Sequence, residues 1–230
     1  MHSRPGGGWR AGIRAGVPLG FAAGALAITF GAYATLAGWP PAATILMSAL
    51  VFSGSAQFAF ITAMSGGAGL IAGIGAGALM NLRFVPMAAA AARSLHGRPV
   101  RRALEGQAVV DGSWVLAQRP DGTTDREMMI GATLVQWPAW VVGTAVGALL
   151  VPSADLLYRF GLDVVFPAFF LLLLLEAVRS RPDHRWVALI AAGLASVGVL
   201  VVPVGVALLL SAAASLIVLL RRPNSAGGSR

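Results

Sequence analysis

The stretch 42–64, AATILMSALVFSGSAQFAFITAM, contains no charged residue. About 20 consecutive apolar residues cross the hydrocarbon core of a bilayer as a helix, so this stretch predicts one membrane span. Comparable apolar stretches lie on both sides of it, at 17–37, 68–92, 128–151, 160–178 and 187–220. The chain is therefore predicted to be an all-α integral membrane protein.

The composition supports this class. Apolar residues make up 57% of the 230 positions, and charged residues only 11%. A soluble domain carries charge on roughly 25% of its residues, so this chain has too little polar surface to cover a globule. The absence of cysteine excludes disulfides and thiolate metal sites.

The number of spans follows from the lengths of the stretches. The stretch 187–220 is too long for one helix and has Pro203 near its middle, so two short helices are expected there. Segment 105–118 is short and contains Asp111, which predicts a half-helix, a re-entrant piece or a tilted span. The chain is predicted to form one transmembrane domain over 1–230. This domain is a bundle of seven or eight transmembrane segments, some of them short or broken.

The first apolar stretch has two interpretations. It follows a basic segment and contains Ala-Tyr-Ala at 32–34, which is typical of a signal-peptide cleavage site. Four glycines at four-residue spacing instead share one helix face, where a neighbouring backbone can approach closely, and this favours a retained helix. They are Gly12, Gly16, Gly20 and Gly24.

Small residues recur at this spacing in two later stretches, as Gly69, Gly73 and Gly77 and as Ala139, Gly143 and Gly147. Tight packing in any membrane bundle would explain them. The stretches 12–37 and 128–151 are also both glycine-rich, and both lead into proline-containing loops. This indicates a possible internal repeat with halves of about 12–92 and 128–202, as many secondary transporters have.

The net charge of +8 comes from arginines between the apolar stretches, at the amino terminus and in 93–102, 179–185 and 221–222. Cytoplasmic loops carry such an excess, so the amino terminus is predicted to be cytoplasmic. No nucleic-acid partner is expected, because a basic face interleaved with aromatic residues is absent. The loop 93–102 conflicts with this scheme: it would fall outside unless 68–92 is re-entrant.

Polar side chains interrupt the middle of the stretch 42–64 at Ser53, Ser55 and Gln57, beside Gly54. A serine in a helix can bond its own i−4 carbonyl at little cost. An unsatisfied Gln57 amide costs several kcal/mol in hydrocarbon, so this residue either joins helices or faces a polar pathway. Gly54 can break the helix and free backbone groups, which favours substrate binding by these four residues.

Asn81 and Arg83 interrupt the stretch 68–92. An arginine inside a membrane segment costs about 2.5–3.5 kcal/mol, and such residues normally have a partner in the bundle interior. The candidate partners are Asp111 and Asp163. We expect substrate binding at Asn81 and Arg83, and proton coupling or a structural ion pair at the two aspartates. Snorkelling of Arg83 to the interface is the alternative.

No cofactor, metal or enzymatic activity is expected. His2, His96 and His184 all lie in polar segments, so Ser55 has no intramembrane base. A P-loop for ATP is also absent. A transporter is therefore predicted, with a membrane enzyme, a channel or a scaffold protein as alternatives.

These residues resemble a known family. The segment ATILMSALVFSGSAQF at 43–58 is similar to the most recognisable stretch of the AzlC family, and Asn-Leu-Arg at 81–83 matches its N-x-R motif, although Phe84 stands where histidine is usual. Asp111 stands where the family has Asp-Glu, with Gly112 in place of the glutamate. The segment GLDVVFPAFF at 161–170 is similar to its G-L-D-x-x-x-P-A-x-F segment, and the likeness covers about 12–202.

The resemblance implies the large subunit of a bacterial branched-chain amino acid exporter, driven by the proton motive force in the inner membrane. It also implies a small four-helix, AzlD-like partner subunit. An amino acid substrate presents a carboxylate, which suits Arg83 or a broken-helix amino terminus, and an ammonium, which suits Asp111 or freed carbonyls. The aliphatic side chain is expected among Phe52, Phe58 and Phe60.

Overall fold

A computed structural model describes residues 8–119, 123–150 and 185–202, with seven isolated positions between 155 and 179. Asp163, most of the stretch 160–178 and the second half of 187–220 lie outside the described residues. Within the described ranges every regular element is a helix, apart from an isolated antiparallel bridge between Gln118 and Thr124. The all-α prediction is confirmed for this part of the chain.

The helices differ widely in length. They are α1 (Trp9–Leu36), α2 (Pro41–Leu50), α3 (Gly54–Ser65), α4 (Gly69–Asn81), α5 (Phe84–Ala91), α6 (Pro99–Gly106), α7 (Asp111–Leu116), α8 (Arg126–Leu150) and α9 (Arg185–Val201). Among the described residues, α1 and α8 are long and apolar enough to cross a membrane, and α4 with α5 makes a third span if that bent pair is counted as one. The total of seven or eight segments stays a prediction.

The chain divides into two compact units. The first comprises Met1–Gln57 and Asn81–Phe166, and the second comprises Phe58–Met80 and Pro167–Arg230. This division does not follow the predicted repeat halves, and the repeat stays a prediction. In the second unit the small residues of α4 admit large neighbours, since a Cβ at Gly73 would lie 3.0 Å from the Phe60 ring and 3.1 Å from Met64 Cγ.

In the first unit, α1 and α8 pack against each other along their predicted glycine faces. A Cβ at Gly16 would lie 2.8 Å from Ala132 Cα, and one at Gly147 would lie 2.9 Å from the Ala32 nitrogen. Such distances are too short for a real side chain, so only glycine permits this approach. The paired positions advance together along both helices, which means that α1 and α8 run parallel.

Local sequence sets the ends of these helices. α1 ends before Gly38, which adopts φ 90°, in the left-handed region that favours glycine. α2 begins at Pro41, because proline has the φ of a helix and lacks the N–H that a first residue leaves unpaired. α8 begins after Asp125, whose Oδ1 accepts a hydrogen bond from the Met128 N–H at 3.1 Å.

Two stretches that were each expected to form one helix are broken, which agrees with the prediction that some segments are short or broken. The stretch 42–64 is split into α2 and α3 by the non-helical residues 51–53. The stretch 68–92 is split into α4 and α5, which are bent by 47°. The second break follows from Pro86, which has no N–H to donate to the carbonyl of Leu82 and so cannot extend the preceding helix.

Of the three alternatives predicted for segment 105–118, the structure matches the half-helix. α7 has six residues, which gives a length of about 9 Å against a hydrocarbon core of about 30 Å. Ser113 holds the start of this helix, since its hydroxyl donates to the Ala108 carbonyl at 2.5 Å. This segment does not cross a membrane by itself.

The arginine-rich loop 93–102 lies at the same end of the α1–α8 pair as Trp9. Leu95 shares a buried cluster with Met129 near the start of α8, and Arg126 Nε donates to Glu105 of α6 at 2.8 Å. Because α1 and α8 are parallel, their first residues lie at one end of the pair. Both 42–64 and 68–92 are broken, and the bent pair of α4 and α5 is either one broken span or the re-entrant piece that the charge pattern requires.

Candidate functional site

The chain folds back at residues 51–53. Gln57 Nε2 donates to Ser48 Oγ at 3.0 Å, although nine residues separate them. Nine residues of continuous helix would span about 13.5 Å, farther than these two side chains reach. The break therefore turns the beginning of α3 back alongside the end of α2, and residues 51–53 form the tip of this turn.

Gln57 belongs to a buried polar network that joins three helices. It is fully buried, and its Oε1 accepts a hydrogen bond from Trp140 Nε1 at 2.8 Å. Ser48 continues the network with a 2.8 Å hydrogen bond to Thr144 Oγ1. The Trp140 ring also covers Gly54, where a Cβ would lie only 2.5 Å from the indole. Of the two predicted roles, the geometry of Gln57 matches the one that joins helices.

The two helix breaks of the first unit meet through side-chain hydrogen bonds. Ser53 Oγ donates to Asn81 Oδ1 at 2.6 Å, and Arg83 donates to Ser55 Oγ at 2.9 Å. The first N–H groups of α3 have no acceptor within their own helix. The four residues that the sequence analysis identified as polar interruptions therefore lie close together: Ser53, Ser55, Asn81 and Arg83.

Arg83 forms an ion pair with Asp111 across 2.7 Å. Its guanidinium also lies 4.9 Å from the centre of the Phe84 ring, in cation–π contact. Its Nε is buried and has no hydrogen-bond partner among the described residues. The predicted partnership with Asp111 is present, and Arg83 keeps a donor for a further acceptor.

A cavity of about 340 Å³ opens beside the two breaks. This volume is in the range of small-molecule sites, about 300–1,000 Å³. Its polar lining comes from Ser53, Asn81 and Gln107. The rest of the lining is apolar or small: Leu50, Val51, Phe52, Phe84, Ala88, Gly106, Val109 and Val110. The site therefore pairs a polar edge with an apolar wall.

The predicted site residues fall into three groups. Ser53 and Asn81 line the cavity, whereas Gly54 and Gln57 pack into the buried network. Ser55, Arg83 and Asp111 are joined to one another and are not among the lining residues, although Phe84 and Val110 next to them in the chain are. Of the three predicted aromatic contacts Phe52 lines the cavity, whereas Phe58 and Phe60 are not among its lining residues. Asp163 lies outside the described residues.

Sequence reasoning missed Phe84 and Gln107 as residues that line the cavity, and Trp140 as the partner of Gln57. Phe84 was noted only as a departure from the family motif, although its place directly after Arg83 was a usable signal. Gln107 lies in the segment 105–118, whose polar residues pointed to a site. The pairing of Trp140 with Gln57, 83 residues apart in the chain, left no local signal.

A second charged cluster lies at the amino-terminal end of α8, and its Glu105 directly precedes Gly106, which lines the cavity. Hydrogen bonds from Arg126, together with Arg101, lower the pKa of Glu105 to about 2, against the opposing effect of its partial burial. Arg119 pairs with Asp125 at 2.8 Å in the same region. These contacts fix α6 and the start of α8 to each other.

Long apolar helices around a buried polar site define a helical membrane protein. The sequence profile of the AzlC family, described as AzlC protein, matches residues 18–153, which is more than half of the chain. The chain therefore belongs to the AzlC family, as the resemblance predicted. The matched segment contains both helix breaks and Asp111.

Proteins similar to this chain are membrane proteins by name. An uncharacterized membrane protein of Archaeoglobus fulgidus is 30% identical over 175 residues, covering 75% of this chain and 77% of its own. The inner membrane protein YgaZ of Escherichia coli is 25% identical over 196 residues, covering 79% and 78%. An uncharacterized membrane protein of Helicobacter pylori strain 26695 is 23% identical over 172 residues, covering 73% and 75%. No solved structure matches the chain.

Proposed function

We propose that this protein is a secondary transporter that exports branched-chain or related small amino acids. The observation that carries the proposal is the meeting of two broken helices at a cavity beside the Arg83–Asp111 pair. Broken helices at a central site are how many transporters bind small ions and zwitterions, because the breaks free backbone donors and acceptors. The polar edge and apolar wall suit an aliphatic amino acid.

The carboxylate of the substrate would bind Arg83, whose Nε is unpaired, with the first N–H groups of α3 as further donors. Its ammonium would face Asp111 or the Asn81 amide oxygen. Its aliphatic side chain would lie against Phe52 and the other apolar residues of the cavity. A zwitterion satisfies both charged partners at once, which a simple anion or cation does not.

Proton coupling follows from the same ion pair. The Asp111 carboxylate, 2.7 Å from the Arg83 guanidinium, would bind either the substrate ammonium or a proton. A proton there would remove the charge that holds the ammonium. Proton binding and substrate binding would then oppose each other at one site, as the exchange of an exported substrate for entering protons requires.

The membrane and partner assignments belong to the same proposal. The arginines of α1 and of the loop 93–102 lie at one end of the α1–α8 pair, which supports a cytoplasmic amino terminus under the positive-inside rule. The name of YgaZ supports the inner membrane. We also propose a small AzlD-like membrane subunit as the partner, on the basis of family membership.

Leucine retention tests the proposal. Cells that lack the protein and cells that express it are loaded with a leucine-containing dipeptide, and internal leucine is measured over time. Expressing cells are expected to retain less leucine. Equal retention of leucine, isoleucine, valine and methionine would reject these substrates. If cells that lack the protein export all four amino acids normally but retain another solute, the protein is a transporter of different specificity.

A further inference from the structure

The helix α6 has an unusual attachment to the rest of the protein. Positions on a helix are separated by about 100°, which places its apolar and polar residues on opposite faces. The apolar face carries Val100, Ala103 and Leu104, and the polar face carries Arg98, Arg101, Arg102 and Glu105.

The protein holds α6 by its polar face. Glu105 is mostly buried and accepts hydrogen bonds from Arg126, the first residue of α8. Val100 and Leu104, on the opposite face, are 73% and 69% exposed. A surface helix of a soluble protein shows the reverse arrangement, with its apolar face toward the core. The apolar face of α6 therefore requires another apolar environment.

The position of α6 identifies that environment. Arg126 begins a candidate membrane span, and its ion pair with Glu105 holds α6 beside the end of that span. Arg93, Arg98 and Arg102 are exposed, and none of the three forms an ion pair with another described residue. Arginines beside an exposed apolar face complement an anionic lipid surface, where each contributes about 1 kcal/mol.

We propose that α6 is an interfacial helix that binds anionic phospholipid headgroups, with Val100 and Leu104 in the acyl boundary and Arg98 and Arg102 on the lipid phosphates. The amino-terminal arginines Arg10 and Arg14 lie at the same end of the protein and would face the same leaflet. The residues of this surface do not line the cavity, although Gly106 at the end of α6 does. The proposal does not depend on the proposed transport activity.

A single labelled residue tests the proposal. The chain has no cysteine, so Leu104→Cys provides one site for an environment-sensitive fluorophore on the full-length protein. The protein is reconstituted into vesicles of phosphatidylcholine alone, or with phosphatidylglycerol added at three parts in ten. We expect blue-shifted emission that is quenched by lipids carrying a nitroxide near the headgroup, and a larger effect when the anionic lipid is present.

The charged residues are tested on the same labelled protein. Arg98→Gln with Arg102→Gln should lower the equilibrium constant for binding of α6 to the phosphatidylglycerol-containing surface by about 30-fold, at about 1 kcal/mol for each arginine. Arg10→Gln with Arg14→Gln removes the same charge from α1 and should change the response little.

Four outcomes would overturn the proposal. The label could be quenched by aqueous iodide and not by lipid nitroxides, which would place α6 in water. It could be buried equally in both lipid mixtures. Its response to phosphatidylglycerol could also fall equally with both pairs of arginine substitutions. Either result would mean that α6 has no preference of its own for anionic lipid. It could be shielded only after a small membrane subunit is added, which would make the apolar face a protein interface.

Discussion

Arg83 and Asp111 form a 2.7 Å ion pair that joins the break between α4 and α5 to the first residue of α7. Both side chains are partly exposed, at 34% and 48%, so neither charge is sealed in the interior. The proposed roles of the pair require such exposure, since a substrate or a proton must reach it. A fully buried pair would resist exchange of partners, because separating its charges leaves each one desolvated.

Substitution of Arg83 by lysine separates charge from geometry. Lysine keeps the positive charge but loses the planar fork that binds a carboxylate through two parallel hydrogen bonds. We expect Arg83→Lys to accumulate normally and to lose most leucine efflux, by about tenfold or more. Arg93→Lys, in the exposed loop nearby, is the control and should change efflux little. Full efflux by Arg83→Lys would remove the carboxylate-binding role.

A double substitution tests whether the ion pair also stabilises the protein. Arg83→Ala leaves Asp111 without its partner and is expected to lower the amount of folded protein in the membrane. Adding Asp111→Asn removes the unpaired charge and should restore part of that loss. Membrane abundance is measured by quantitative immunoblot. Additive losses from the two substitutions would mean that the pair is not coupled energetically.

Efflux should depend on the proton gradient. An uncoupler added at constant cellular ATP is expected to stop leucine efflux against a concentration difference. Asp111→Asn should lose the response of efflux to external pH if Asp111 carries the coupled proton. Uphill efflux that continues without a proton gradient would indicate another coupling ion.

The contact between α1 and α8 should be intolerant of any side chain. Gly147→Ala places a Cβ against the Ile28 carbonyl and the Ala32 nitrogen, and overpacking of this kind costs about 1–3 kcal/mol. Gly193→Ala is the matched control, because α9 leaves open space around Gly193 and alanine is the better helix former. Thermal unfolding in detergent should show a lower midpoint for Gly147→Ala only. Equal midpoints would refute the close approach.

Gln57 is expected to act through stability. Gln57→Leu leaves the Trp140 N–H without its acceptor and removes one of the two hydrogen bonds of the Ser48 hydroxyl. A buried unsatisfied group costs about 1–3 kcal/mol. In a double-mutant cycle with Trp140→Phe, the two losses should be less than additive. Efflux per folded molecule should remain close to that of the wild type. Loss of efflux without loss of stability would place Gln57 in the substrate pathway.

Stability in acid should depend on Glu105. Its pKa in the folded protein is about 2, below the ordinary value of 4.5. Its contribution is therefore present above pH 4.5 and is lost as the pH falls from 4.5 towards 2. Glu105→Gln should lower the free energy of unfolding at pH 7 by about 1–2 kcal/mol and flatten this part of the pH profile. Glu127→Gln, an exposed carboxylate on α8, is the control. An unchanged acid profile in Glu105→Gln would contradict the ion cluster.

The membrane class and most of the polar site could be predicted from the sequence. Long runs without charge have no stable place in water, and a polar or charged group within such a run must find a partner. This reasoning identified Ser53, Asn81, Arg83 and Asp111 because the cost of burying them depends only on the residue and its apolar neighbours. The glycine spacing identified the contact faces of α1 and α8 for the same reason.

The tertiary structure decided how these local features are arranged. Whether residues 51–53 end a span or turn the chain back depends on the hydrogen bond from Gln57 to Ser48 and on Trp140, which is far away in the chain. The side on which loop 93–102 lies depends on the parallel packing of α1 with α8 and on the contact between Glu105 and Arg126. Apolar stretches specify where a chain can cross a membrane, whereas side-chain contacts between distant residues determine where it does.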